Sequence, residues 1–415
     1  MAMDFALWVM YFVAIYFAVH WLLVILENKI RDEARSYNGE PLVTIVIPAW
    51  NEEASIVGTI KSVLKLNYPK EKIQLLIVDD ASTDNTEKII KEFVRNLDFN
   101  IKYIKHNVNM GKGAALNTAL KHAEGEFFIC LDADSFVMPE ALKSILPYFY
   151  SEEVACVLPL IKLKKVKGFA LHLQYVEYLV NFFLKKVMGL LDCIHVTPGP
   201  FAVYRKNALI KVKGFDVDNL TEDLEMALRL QKNDYKIIQL MKAKVLTLAP
   251  DNMRGWFRQR NRWYKGTLLN LHKHKDMFFK KRYGEFGLFQ LPMVLGAALL
   301  SIFFAFFVVG QHMIKPLINK IYDISFINFN VGFVSSLWME RFSFLDFSYM
   351  ILFFSFIVLS FGVAWIAYAF RHTNETFSKK GLVSSATFMV IYPFFLSFVW
   401  MGVIFDLVRK KKQKW

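Results

Sequence analysis

The chain has 415 residues, of which 55% are hydrophobic, and a formal net charge of +14. The apolar share exceeds the roughly 45–50% of an average soluble domain and is concentrated in four segments, which argues against an entirely soluble protein. The positive charge is typical of cytoplasmic membrane faces, and because no basic stripe carries interleaved aromatic residues, no nucleic-acid partner is predicted. Cys130, Cys156 and Cys193 are sparse and odd in number, so reduced thiols are predicted.

The four apolar segments are each long enough to cross about 30 Å of hydrocarbon at about 1.5 Å per residue. They are Phe5–Leu26, Phe286–Gly310, Asp346–Phe370 and Gly381–Leu407. Because Lys29, Arg31 and Arg35 follow the first segment, we predict an anchor helix with its N-terminus outside the cell. The expected organisation is a transmembrane helix in residues 1–28, a cytoplasmic domain in 41–275 and membrane helices in 286–408. This describes a multi-pass protein of the cell membrane.

The number of C-terminal crossings stays open. Three helices after a cytoplasmic domain would leave the basic run Arg409–Lys414 outside, against the positive-inside tendency. A fourth crossing or a re-entrant segment at Ile321–Trp338 would return this run to the cytoplasm. Asn328 and Asn330 would be costly in lipid, however, so three crossings are favoured.

Between the first two apolar segments, short buried strands alternate with helical patterns. The predicted strands are Leu42–Ile47, Gln74–Val78, Ile101–Lys105, Phe127–Leu131 and Phe201–Tyr204. This alternation predicts a doubly wound α/β domain, which binds nucleotides at the carboxyl ends of its strands. The amphipathic segment Gly168–Leu191 fits either a core helix or a helix lying on the membrane, and the second interpretation is favoured.

Asp132 and Asp134 follow the strand Phe127–Leu131 directly. In extended chain, residues two apart point to the same side, so both carboxylates can face one cation. Carboxylate oxygens together with substrate phosphates are typical ligands of Mg²⁺, and Mn²⁺ has similar preferences. The alternative is a strand that ends in an acidic turn.

Lys112 stands between two glycines at a predicted helix start. Glycine lets the backbone approach a ligand closely and helix N-termini favour anions, so a phosphate or nucleotide contact is predicted. A solvent-exposed lysine is the alternative. Farther along, Gln259, Arg262 and Trp263 share one helix face, where arginine suits a phosphate and tryptophan a sugar ring. The alternative there is an interfacial helix with snorkelling arginines.

Six short motifs stand in the order found in one enzyme family. They are Pro48–Glu53, Asp79-Asp80, Gly111–Asn117, Asp132-Ala133-Asp134, Thr221-Glu222-Asp223 and Gln259-Arg260-Asn261-Arg262-Trp263 with Gly266. With its flanking membrane helices, the chain resembles the membrane-bound processive glycosyltransferases of family 2, which include cellulose, hyaluronan, chitin-oligosaccharide and poly-N-acetylglucosamine synthases. The resemblance implies a GT-A-like nucleotide-sugar-binding domain inserted between transmembrane α-helices, and a Mg²⁺ or Mn²⁺ cofactor.

For the donor, the resemblance implies that Asp80, rather than Asp79, accepts the uracil N–H. The loop with Ala49 and Glu52 would pack on uracil and ribose, although Glu52 also suits a helix N-terminus. Lys112 would also contact the donor. Asp134 would do most of the metal coordination, with Asp132 close to the ribose and metal.

For the reaction, the resemblance implies that Asp223 is the catalytic base and that Glu222 shapes the site. Arg262 would hold the diphosphate, and Gln259 and Trp263 the acceptor. The alternative for the acidic motif is a helix N-cap, which explains Thr221 well but Asp223 poorly.

The implied function is an inverting transferase that polymerises a β-linked polysaccharide from UDP-N-acetylglucosamine or UDP-glucose. The polymer would cross the membrane between the helices, with the lipid bilayer and accessory export subunits as partners. An alternative is transfer of a single sugar to a lipid-linked acceptor. A scaffold with a degenerate transferase domain is a further alternative, which the presence of every acidic motif residue disfavours.

Overall fold

The computed structural model describes residues 2–28, 30, 32, 39–310, 314–326, 349–376 and 378–409. The strands are β1 Val43–Ala49, β2 Ile73–Asp79, β3 Ile101–Lys105, β4 Phe127–Cys130, β5 Ser135–Val137, β6 Val154–Leu163, β7 Ala202–Arg205 and β8 Lys236–Thr247. The helices before residue 200 are α1 Ala2–Glu27, α2 Ile56–Leu64, α3 Thr86–Val94, α4 Lys112–His122, α5 Ala141–Ile145 and α6 Phe169–Gly189. The later helices are α7 Lys206–Lys211, α8 Glu222–Lys232, α9 Met253–Lys273, α10 Leu291–Val309, α11 Lys315–Phe326, α12 Tyr349–His372 and α13 Lys379–Val408.

The strands form one mixed sheet in the order β3-β2-β1-β4-β7-β6-β8-β5. The first four are parallel, β7 is antiparallel to both β4 and β6, and β8 runs parallel to β6. The expected α/β class with a GT-A-like domain is confirmed, but only half of the sheet is the parallel, helix-alternating sheet that was predicted. Strands β5, β6 and β8 were not predicted.

The parallel half of the sheet explains why polar residues gather at one edge. Ala49 at the end of β1 pairs with Asp79 at the end of β2, and β4 runs beside β1 in the same direction. Because carboxyl ends of parallel strands meet at one edge, the loops after β1, β2 and β4 converge there. Asp132 and Asp134 follow β4 at this edge.

The sheet has an apolar layer on each face. Along β1, Val46 packs into one layer, whereas Ile45 and Ile47 pack into the other, as the alternation of a strand requires. All three cysteines are buried and free, which confirms the prediction of reduced thiols.

Helix α6 corrects an expectation. It was favoured as a helix lying on the membrane, but more than half of its side chains are buried. Val176 and Phe183 belong to the same core layer as β1 Val46. On its other side Phe183 packs against Trp365 and His372 of α12, with ring centroids 5.0 and 5.4 Å apart. The helix is therefore a core element between the sheet and the apolar helices.

Among the described residues, four helices are long and apolar enough to cross a membrane. These spans are Trp8–Glu27, Phe286–Phe307, Leu352–His372 and Gly381–Val408. They agree with the four predicted apolar segments. Most of the proposed extra crossing Ile321–Trp338 lies outside the described residues, as does the tail from residue 410 onward.

The apolar helices also contact one another and the domain. Tyr11 of α1 lies 2.6 Å from Ser355 of α12 through their hydroxyl oxygens. In α13, Trp400 stacks on Tyr264 of α9 with ring centroids 4.8 Å apart, and Val403 belongs to the same apolar cluster. The last turns of α13 therefore pack along α9, the helix that carries the Gln-x-x-Arg-Trp motif.

Candidate functional site

A cavity of about 640 Å³ opens at the carboxyl edge of the parallel strands. Its volume is within the range of small-molecule sites, about 300–1,000 Å³. All eleven site residues predicted from the sequence line it, namely Ala49, Glu52, Asp80, Lys112, Asp132, Asp134, Glu222, Asp223, Gln259, Arg262 and Trp263. The structure thus brings together residues that are spread over more than two hundred positions.

Of the two aspartates that end β2, only Asp80 lines the cavity. Its carboxylate accepts hydrogen bonds from the backbone N–H groups of Met110 and Gly111, at 3.0 and 2.7 Å, and lies 2.7 Å from Nδ1 of His106. Asp79 is fully buried and accepts from the Tyr103 hydroxyl at 2.8 Å. Asp80 therefore fixes the loop that leads into α4, in addition to facing the cavity.

Lys112 is the first residue of α4 and sits between two carboxylates. Its Nζ lies 2.6 Å from Oδ1 of Asp132 and 3.2 Å from Oε1 of Glu222. Burial alone would lower the pKa of this ammonium, but the charges of Asp132 and Glu222 outweigh it and raise the pKa. The solvent-exposed alternative for Lys112 is therefore wrong.

Gly199 allows a close approach to this ion pair. A Cβ at position 199 would lie 2.6 Å from Oδ1 of Asp132, so a larger residue would have to displace the paired side chains. Pro198 and Pro200 flank Gly199 and make this turn rigid. The backbone of the turn therefore lies directly against the Lys112 and Asp132 side chains.

Glu52, Asp132 and Asp134 bring three acidic groups to the same end of the cavity. Burial raises the pKa of Asp134, and the charges of Asp132 and Glu52 raise it further. Burial also raises the pKa of Glu52. Like charges held together out of water favour a bound cation.

The acidic end of the cavity suits a divalent cation whose ligands come partly from the protein and partly from the substrate. Among the residues the structure describes, no group of three His, Cys, Asp or Glu side chains has the arrangement of a complete metal site. Two carboxylates suffice when substrate phosphates complete the coordination, as is usual for Mg²⁺. Asp132 and Asp134 are the residues that would hold the ion.

Asp223 lies in the first turn of α8. Burial, followed by the charge of Glu222, raises its pKa to about 6, although Lys112 and Arg262 oppose the shift. Thr197 fixes this turn, because its hydroxyl donates to the backbone carbonyl of Asp223 at 2.8 Å. A carboxyl group held in this way can accept a proton near neutral pH.

The acidic motif and the Gln-x-x-Arg-Trp helix meet at one close contact. A Cβ on Gly266 of α9 would lie 2.5 Å from Cγ2 of Thr221. The Thr221 side chain does not cap α8; its Oγ1 accepts a hydrogen bond from Nδ2 of Asn270 at 2.9 Å. Thr221 thus occupies the N-cap position that the alternative assigned to it, but its side chain joins α8 to α9 and makes no capping hydrogen bond.

The arginines of α9 differ in how far their side chains are buried. Arg254 and Arg258 are exposed, as expected for an interfacial helix. Arg260, by contrast, is fully buried and pairs with Glu177 of α6 at 2.6 Å, so it does not fit an interfacial helix with snorkelling arginines. Its guanidinium lies 4.6 Å from the centre of the Trp263 ring, so the buried Arg260–Glu177 pair packs against the tryptophan.

Sequence reasoning missed one wall of the cavity. Helix α6 contributes Tyr178, Phe182 and Lys185, and the loop after it contributes His195. Burial lowers the pKa of Lys185 to about 7, while burial and then the charge of Lys185 lower that of His195 to about 4. In the sequence, Lys185 interrupts the apolar pattern of α6, and this interruption was the signal that could have pointed to the wall.

Three comparisons place the chain among known proteins. Residues 44–213 match the model of the family described as glycosyl transferase family 2. A poly-β-1,6-N-acetyl-D-glucosamine synthase of Staphylococcus epidermidis is 31% identical over 244 residues, which cover 57% of this chain and 56% of that protein. A synthase of the same name from Staphylococcus aureus strain COL is 28% identical over 271 residues, covering 63% and 65%. The alignments thus span between about half and two thirds of these relatives.

A solved structure shares the fold along nearly the whole chain. The mannosyltransferase PcManGT from Pyrobaculum calidifontis, in complex with GDP-Man and Mn²⁺, aligns over 99% of both chains with a TM-score of 0.65 and 17% identity. At this identity the likeness supports the fold alone. Residues 44–213 are thus similar to glycosyl transferase family 2, and the domain that contains them has a GT-A-like fold.

Proposed function

We propose that the protein is a membrane-bound, inverting transferase that polymerises a β-linked polysaccharide from UDP-N-acetylglucosamine. The observation that carries this proposal is the meeting of all eleven predicted residues in one cavity beside the apolar helices. The choice of sugar rests on relatives that are named poly-β-1,6-N-acetyl-D-glucosamine synthases. Export of the polymer across the membrane, with the domain on the cytoplasmic side, is part of the proposal.

The donor is assigned to the end of the cavity near β1, β2 and β4. Ala49, Glu52 and Asp80 would receive the nucleoside, since they line the cavity at the strand ends. Lys112 and Arg262 would bind the diphosphate. Both are cations of the cavity, and the charge of each acts to lower the pKa of Asp223.

Asp132 and Asp134 would hold Mg²⁺ or Mn²⁺. When bound, such an ion offsets the charge of the departing diphosphate and helps to orient it. Glu52 adds to the negative charge of this end and would strengthen the attraction for a cation.

Asp223 is the proposed base. It would take the proton of the acceptor hydroxyl as that oxygen attacks the anomeric carbon, on the face opposite the leaving diphosphate. A single in-line displacement needs one base and no nucleophilic carboxylate, and it inverts the configuration. Trp263, supported by buried Arg260, would give the acceptor sugar a flat surface, and Gln259 lines the same cavity.

The test uses the purified full chain in lipid with a panel of nucleotide sugars. We expect UDP release and a long radiolabelled product from UDP-N-acetylglucosamine. Trp263→Ala should shorten the product while UDP binding stays intact, because the acceptor surface is lost. Trp8→Ala on α1 is the matched control for a tryptophan that merely anchors the protein in the membrane. A wild-type product of a single added sugar would refute polymerisation.

A further inference from the structure

Lys185 is a lysine of the cavity wall with no role in the scheme above. It lies on α6 and lines the same cavity as Asp223, and its Nζ lies 4.8 Å from the centre of the Phe182 ring. Its neighbour Lys186 pairs with Asp32 at 2.8 Å, whereas no such pair within 4.0 Å involves Lys185 among the described residues. The amine therefore faces the cavity without a carboxylate partner.

Asp223 is the carboxylate of the site whose charge bears on Lys185. Among the carboxylates of the site, only Asp223 acts to raise the pKa of Lys185, whereas Lys112 is influenced by Asp132, Glu222 and Asp223. The loop after α6 also contacts Asp223, because the hydroxyl of Thr197 in this loop donates to the backbone carbonyl of Asp223 at 2.8 Å. Among the described residues no ion pair joins Lys185 to Asp223, so a sugar hydroxyl can meet the amine without breaking one.

The surroundings of Lys185 suit a neutral sugar better than a diphosphate. Phe182, whose ring centre lies 4.8 Å from Nζ, offers aromatic surface of the kind that packs on sugar rings. Burial lowers the pKa of Lys185, whereas a diphosphate is best met by a cation that stays fully charged, as arginine side chains in general do. An amine beside an aromatic ring, in a cavity that also contains a carboxylate, is suited to hydrogen bonding with hydroxyl or acetamido oxygens.

We propose that Lys185 is an acceptor-binding residue, whose Nζ donates a hydrogen bond to an oxygen of the acceptor sugar on the Asp223 side of the cavity. The inference rests on the proposed function and adds to it a contact from α6. It makes α6 a wall that recognises the acceptor, alongside Trp263 on α9.

The first experiment compares Lys185→Met with Lys185→Arg in the full chain in lipid, using β-1,6-linked N-acetylglucosamine oligosaccharides as acceptor. A hydrogen bond from a donor that is largely neutral corresponds to about 2–10-fold in binding. We therefore expect Lys185→Met to raise the acceptor KM by about that factor and to leave UDP affinity unchanged. Lys185→Arg should recover part of the loss. The exposed Lys167→Met just before α6 is the matched control and should behave as wild type.

A pH profile separates acceptor binding from an electrostatic effect on the base. The groups around the pair are Glu222 on α8, Lys112 on α4, Arg262 on α9, Cys156 on β6 and His195 in the loop after α6. If Lys185 acted only through the charge it presents to Asp223, Lys185→Met would move the acidic limb of kcat/KM to higher pH and leave the acceptor KM unchanged. That result would overturn the proposal.

A measurement on the wild-type protein covers the case in which the variants do not fold. Acetic anhydride should acetylate Lys185 near neutral pH, because a neutral amine is reactive, and mass spectrometry would locate the label. We expect the oligosaccharide to protect Lys185 and UDP to leave it reactive. Equal labelling with and without oligosaccharide would refute the contact. If the wild type fails to extend the oligosaccharide at all, the proposed function itself is refuted instead.

Discussion

At the scale of single residues, the proposed role of Asp223 as base depends on how far burial raises the pKa of its carboxyl group. A base must be deprotonated to act, so kcat/KM should rise with pH through the pKa of Asp223. An ordinary aspartate titrates near 3.8, whereas burial and Glu222 raise this pKa to about 6. We expect activity to fall below about pH 6, measured as UDP release at saturating metal. An acidic limb near pH 4 would contradict the assignment.

Replacing the same residue tests its role directly. Asp223→Asn keeps the shape of the side chain but removes the base, so turnover should fall by about 10²–10⁴-fold. UDP affinity should stay near that of wild type, because the residue is proposed to act on the acceptor. Asp218→Asn, an exposed aspartate in the preceding loop, is the control. A parallel collapse of UDP binding would make Asp223 a structural residue.

The acidic end of the cavity predicts metal dependence. Turnover should vanish in excess EDTA and return when Mg²⁺ or Mn²⁺ is added, because Asp132 and Asp134 would then hold the ion again. Asp134→Asn should also weaken Mn²⁺ binding in the presence of UDP, which electron paramagnetic resonance can follow without any turnover. Undiminished activity in EDTA would rule out an essential cation.

The residues predictable from the sequence share one physical property. Asp132, Asp134 and Lys112 stand next to the end of a strand or the start of a helix, so local pattern alone fixes where their side chains point. Lys185 and Glu177 could not be found in this way, because they lie inside a long helix and not at the end of a strand or the start of a helix. Their position on the cavity depends on which face of α6 meets the sheet, and that is decided by tertiary packing.

At the scale of elements, the sequence predicts the parallel half of the domain better than the other half. Strands β1, β2 and β4 are mostly apolar and almost fully buried, which is the pattern of parallel strands. Strand β8 carries exposed and half-buried lysines among its apolar residues, which interrupts this pattern. It was missed for this reason, although it runs parallel to β6.

The contact between α8 and α9 gives a prediction at this scale. Gly266→Ala would force a methyl group to within 2.5 Å of Cγ2 of Thr221, so the helices must separate. Overpacking of this kind costs about 1–3 kcal/mol. We expect a lower melting temperature and reduced turnover, since Asp223 and Arg262 lie on the two separated helices. Gly296→Ala on α10 is the control, because nothing lies within 4 Å of its added Cβ. Wild-type turnover in Gly266→Ala would show that the spacing is not critical.

At the scale of the whole molecule, the apolar helices support the cavity and do not merely anchor it. Helix α12 packs on α6 through Trp365 and Phe183, and α13 packs on α9 through Trp400 and Tyr264. Both α6 and α9 line the cavity, so its walls are backed by candidate membrane spans. The sequence predicted the spans from hydropathy, but it carried no information about which spans support which walls.

Because candidate membrane spans pack on the walls of the cavity, the thickness of the bilayer should affect the proposed reaction. Helices adjust to hydrophobic mismatch by tilting, and a tilt of α13 would be transmitted along its contact with α9 to Trp263 and Arg262. In vesicles that differ only in acyl-chain length, we therefore expect the acceptor KM and the product length to change while UDP affinity at the strand ends stays constant. The thickness of the bilayer would then help to set the length of the polymer, although the lipid does not contact the sugar.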